Sequence, residues 1–135
     1  MKSIALAVAA MSVLFLNSCV TYHVSAQSLV EQFAGVRQET KVNIVLAPPF
    51  FFPVAVDGNS LRNITVLDKN DKKHTLPVTR HMGIKITQNS GKKTTFYFDT
   101  LLLKDSTITG NKTHFFRSHI KPILFANINK IELQK

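Results

Sequence analysis

Thr95-Phe96-Tyr97-Phe98, running on through Leu101 to Leu103, is the stretch that decides the fold class of this chain. β-Branched and aromatic side chains in succession suit a pleated, half-buried surface, and they lose rotamer freedom in a helix. Turn chemistry bounds the run on both sides, with Asn89-Ser90-Gly91 before it and Asp105-Ser106 after it, so it reads as one strand through Leu103. Upstream, Leu76 and Val78 and then Ile84 and Ile86 flank Met82-Gly83, where Gly83 marks a bulge. Leu61, Ile64 and Val66 lead into the charged turn Asp68 to Lys73, and residues 40 to 46 alternate Val42, Ile44 and Leu46 with Lys41, Asn43 and Val45. Val54 to Val56 closes on the turn signal Asp57-Gly58. Downstream, Thr107-Ile108-Thr109 reaches Gly110-Asn111, and Phe115-Phe116 restarts a strand that Pro122 ends. A tight turn near Phe125-Ala126-Asn127 precedes a last strand with Ile131 and Leu133 around Glu132.

Short strands separated by turns at a spacing of roughly eight to twelve residues imply an all-β domain. The expected architecture is a small antiparallel barrel of about six to eight strands, because closure removes exposed sheet edges; a β-sandwich is the alternative. A short N-terminal helix precedes it. Ser28-Leu29-Val30-Glu31 has the Ser-x-x-Glu form of a capping box, Leu29, Val30 and Phe33 supply an apolar stripe, and Gly35 offers the left-handed stop.

The amino terminus has a different character. Lys2 is followed by an apolar run from Ile4 to Leu16, short for a membrane span and suited to the core of a signal peptide. The run ends in Leu16-Asn17-Ser18-Cys19, which contains the only cysteine of the chain. This stretch resembles the lipobox of bacterial lipoprotein precursors: Leu16 matches the first position, Ser18 the small residue before the cysteine, and Cys19 the residue that is acylated and becomes the mature N-terminus. Asn17 departs from the small aliphatic or hydroxyl residue usual at its position. The resemblance implies a signal peptide over 1–18, a lipidated (palmitate-type) Cys19, and an envelope location, at the outer membrane or on the periplasmic face. It covers only these nineteen or so residues and implies no activity. Ordinary secretion, with cleavage after Ala26, is the competing reading. On the lipobox reading residues 19–27 form a polar tether and residues 28–135 one β-rich domain.

The full chain carries a formal net charge of +9, lowered by one when Lys2 leaves with the leader. That balance favours anionic surfaces. The cations are dispersed, with no run longer than two, so the pattern is that of a solubilising surface that adsorbs to anionic headgroups and not of a specific nucleic-acid site. With one cysteine there is no disulfide framework.

No constellation for chemistry emerges. His114 and His119 are an odd number apart and point to opposite faces of a strand, as do His74 and His81, so the histidines read as surface residues and no metal site is expected. Ser118-His119 beside Arg117 is the one adjacent polar triple, and Asp99 and Asp105 fall at opposite ends of one strand. No serine sits in a nucleophile elbow, and the isolated glycines form no phosphate or cofactor loop. The expectation is a non-enzymatic module that needs no cofactor. It binds the membrane through lipidated Cys19 and contacts an envelope protein, a glycan or the membrane itself. The alternative is a lipocalin-like carrier of a small apolar ligand, lined by Phe96, Phe98 and Leu102. The candidate contact is Phe50-Phe51-Phe52 between Pro49 and Pro53. Alternation assigns Phe50 and Phe52 to one buried face and leaves Phe51 as an exposed tip, unless a twist or bulge lets all three line the core.

Overall fold

A computed structural model describes residues 20–118 and 120–135. The expected signal peptide over residues 1–18, Cys19 and His119 lie outside the described residues. Among the described residues eleven strands and one α-helix follow in the order β1 (Thr21–His23), α1 (Ala26–Phe33), β2 (Gln38–Ala47), β3 (Phe50–Asn59), β4 (Asn63–Leu67), β5 (Lys73–Pro77), β6 (Gly83–Gln88), β7 (Lys93–Tyr97), β8 (Leu102–Lys104), β9 (Thr107–Thr109), β10 (Ile123–Leu124) and β11 (Ile128–Gln134). Every strand pair is antiparallel. The described residues are therefore mostly β, with the short helix expected ahead of the strand-rich part. Among the described residues no helix is long and apolar enough to cross a membrane.

The strands form three open sheets and not a closed barrel: six strands in the order β5-β4-β1-β11-β6-β7, three in the order β10-β9-β8, and the two-stranded ribbon β2-β3. Alternation sets the buried face of the large sheet. Ile64 and Val66 of β4, Ile84 and Ile86 of β6, Phe96 of β7, and Ile131 and Leu133 of β11 are all buried and share one cluster with Leu29, Met82, Phe98, Leu101 and Ile108. Each fully buried side chain of this size contributes roughly 1.5–3 kcal/mol relative to exposure.

Several local expectations are corrected. Residues 21–27 are not a tether. Thr21–His23 pair with β11 on one side and touch β4 at Leu67 on the other, Val24 is buried, and α1 begins at Ala26. The helix is capped by Ser25, whose hydroxyl accepts from Ser28 N–H at 3.1 Å; Ser28 lies inside the helix and its side chain receives Gln32 instead. Gly35 does take the left-handed conformation, at φ +78°. Because β1 meets β4 at one residue only, Thr65 lacks a strand partner there, and the Gln32 amide bonds both its N–H and its carbonyl, at 2.6 and 2.9 Å.

Asp57-Gly58 is not a turn. Both residues pair within β3, opposite Thr40 and Glu39, and the chain reverses at Pro48-Pro49, whose peptide bond is cis. Glycine at 58 answers a close approach: a Cβ there would overlap the backbone carbonyl oxygen of Asp99. Nor does one strand run from Thr95 to Leu103. A 3-10 turn, Phe98–Thr100, breaks it and turns Asp99 into the interior. Gly83 is a paired strand residue, opposite Gln134 and Tyr97; the register irregularity falls in β11 between Ile128 and Lys130. Phe115 and Phe116 lie in an irregular segment and not in a strand.

Candidate functional site: the aromatic ribbon and the cleft at its base

The ribbon β2-β3 is buried at one end and bare at the other. At its base Val56, Gly58 and Asn59 are buried, while residues 50–53 are all exposed. Six exposed or half-buried residues, 50 to 55, project the distal part by roughly 20 Å at strand rise. Phe50, Phe51 and Phe52 are 62, 72 and 52% exposed, which corrects the expectation that Phe50 and Phe52 are a buried pair. Alternation holds, since Phe50 and Phe52 lie on one face with ring centroids 6.1 Å apart. In a two-stranded ribbon, however, neither face at the tip has a layer to pack against. Val42 and Ile44 add exposed apolar surface, and so do Phe115 and Phe116 in the segment that touches the ribbon. Asn43 Nδ2 donates to the His114 carbonyl at 3.0 Å and Arg117 Nε to the Ala55 carbonyl at 3.5 Å. Pro53 is tolerated because both strands of a ribbon are edges.

Where the ribbon meets the body, a polar lock forms that spacing arguments did not foresee. His114 is buried, contrary to its expected surface position. Its Nε2 lies 2.9 and 3.1 Å from the two oxygens of Asp99, and both side chains are only 8% exposed. Lys41 Nζ stands 3.6 Å from Asp99 Oδ2, and the Tyr97 ring covers the imidazole at a centroid distance of 4.1 Å. Asn59 Nδ2 donates to the carbonyls of Phe98 and Leu101, fixing both ends of the 3-10 turn. The Thr100 hydroxyl donates to the Tyr97 carbonyl and accepts from Asn111 N–H, while Asn111 Oδ1 accepts from Ser118 N–H. The turn carrying Asp99 and the segment carrying His114 are thereby held to each other and to the ribbon. Fifteen residues separate the two partners in the chain, and the bond depends on the turn, so no local motif announces it.

Above the pair opens a cleft of about 410 Å³, lined by Glu39, Lys41 and Asn43 from β2, residues 59–62, residues 78–80, Asp99 and His114. An imidazole oriented by a buried carboxylate is geometry that can move a proton. In this structure the imidazole ties the segment carrying His114 to the turn carrying Asp99, and nearby Ser60 Oγ accepts from Arg37 N–H. Among the described residues no three His, Cys, Asp or Glu side chains converge on a metal position.

Two further carboxylates are held by close partners. His74 Nε2 bonds Asp68 Oδ2 at 2.8 Å, and this bond, with backbone N–H groups of Asn70 and Lys72, holds the Asp68 carboxyl below its ordinary value. Lys85, then Lys130, does the same for Glu132, each at 2.9 Å. Of the side chains expected to line a ligand cavity, Phe96 and Phe98 are packed in the core and Leu102 is half-buried. No family model, curated protein or solved structure matches the chain, so geometry and chemistry alone bear on what it does.

Proposed function

We propose that the protein is a lipid-anchored, non-enzymatic envelope module that uses its aromatic ribbon, Phe50 to Phe52, to engage the membrane surface. The observation that carries this reading is the exposure of three consecutive phenylalanines on a projecting ribbon, an apolar surface that a soluble domain otherwise avoids. With these rings 52 to 72% exposed, returning that surface to an apolar phase is worth about 3–5 kcal/mol in total. Contact of that strength is reversible on its own and becomes stable beside a second anchor. Acylated Cys19 supplies the second anchor, and the dispersed basic surface adds attraction to anionic headgroups.

The position of β1 favours the lipobox over cleavage after Ala26. Cleavage there would remove a strand bonded to β11, the buried Val24 and the helix cap Ser25, whereas a mature N-terminus at Cys19 keeps all three. Residues 19 and 20 reach about 7 Å at most, so the domain would sit against the bilayer and not on a stalk.

The test is co-flotation with anionic vesicles, comparing the unlipidated wild type with a Phe51→Ser/Phe52→Ser variant. The variant should lose most vesicle association while its melting temperature stays within the range of ordinary surface changes. Undiminished flotation would remove the ribbon from the function. A large fall in melting temperature would show that the rings are buried.

A further inference from the structure

We infer that the cleft over the Asp99–His114 pair is a binding site for a phosphate group, held by Arg62 and Arg80. This goes beyond membrane contact by the ribbon and does not depend on it. The cleft is concave, at about 410 Å³, within the range of small-molecule sites and large enough for a phosphate with a small group attached. Its floor is rigid, because Asp99, His114 and Asn59 are buried and bonded as described.

The charge on the walls selects the ligand. Asp99 is already matched by His114 and Lys41. Arg62 and Arg80 make no ion pair among the described residues and stand on two different connections, after β3 and after β5, that face the same space. Glu39 at the rim is the single unpaired acid there, so cations remain in excess. The hydroxyls of Ser60 and Thr79 add neutral donors. Paired guanidinium forks match phosphate oxygens two at a time, which a scattered set of lysines does not do. The same chemistry has two sources, a phospholipid headgroup or a free phosphate ester.

The experiment is a titration of the purified protein at low ionic strength, followed by the histidine imidazole resonances. The probes are inorganic phosphate, glycerol 1-phosphate, and a short-chain phosphatidylglycerol below its micelle concentration. The His114 signals should move saturably while those of His23 and His74, which lie outside the cleft, stay still. Arg62→Gln/Arg80→Gln should weaken the response about tenfold or more, as loss of two charge-assisted contacts predicts. Lys92→Gln/Lys93→Gln, which removes the same charge elsewhere, should not. Both arginines are exposed, and amide dispersion checks that the variant is folded. Saturation by glycerol 1-phosphate identifies a free ester as sufficient; saturation by the short-chain lipid alone identifies a headgroup. No saturable movement with any probe, or an equal response in the arginine variant, overturns the site.

Discussion

Replacing His114 with alanine tests whether the ribbon is locked to the body by a buried polar pair. In the native protein the imidazole contacts both oxygens of a carboxylate that, like it, is only 8% exposed. Hydrogen bonds to charged groups contribute about 1.5–3 kcal/mol, and the ring contact with Tyr97 contributes about 0.5–1.5 more. Two features offset the loss: Lys41, 3.6 Å from Asp99, can close on the freed carboxylate, and the cleft admits water. A net cost of about 2–4 kcal/mol follows, which for a domain of this size lowers the melting temperature by roughly 10 °C. Circular dichroism on His114→Ala, Asp99→Ala and the double variant at neutral pH completes a cycle whose coupling energy should exceed about 1 kcal/mol. His114→Gln, whose amide NH2 can still donate to Asp99, should recover part of the loss. Independent, additive effects of the two single changes would refute the reasoning, because they would mean that the pair is solvated and that the ribbon is held by its backbone alone.

Gly58→Ala should destabilise by about 1–3 kcal/mol, since the added methyl meets the carbonyl of Asp99, a backbone atom that cannot rotate aside; chemical denaturation at wild-type midpoint would show that β3 does not pack on the 3-10 turn. Glu132→Gln should be less stable than wild type at neutral pH. Lys85 and Lys130 hold the folded-state carboxyl below its ordinary 4.5, so its contribution is present above that value and is lost as the pH falls through the lower folded-state pKa. The two proteins should therefore converge in acid, and a stability gap that stays constant across the titration would show that the ion pairs contribute nothing.

Much of the large sheet was legible in the residues themselves. Ile64 and Val66, Ile84 and Ile86, and Ile131 and Leu133 mark their buried faces by period-two alternation, and Asp68 to Lys73 and Asn89 to Gly91 turn where their chemistry says. These signals are local, and local periodicity survives into the fold because each strand hides one face. Whether three bare rings have a layer beneath them is not local. Phe50 and Phe52 obey the alternation that predicted their burial, yet they are exposed because β2 and β3 stand apart as a two-stranded ribbon, and only the assembled sheets decide that. Asp57-Gly58 has turn composition, but the glycine is required by the distant backbone of Asp99. Thr21–His23 looks like a polar spacer and becomes an inner strand because β11, from the far end of the chain, lies against it. His114 and Asp99 are ordinary surface types in sequence. They are buried together because a 3-10 turn interrupts a run that composition alone would continue as a strand, and tertiary packing then excludes water from both.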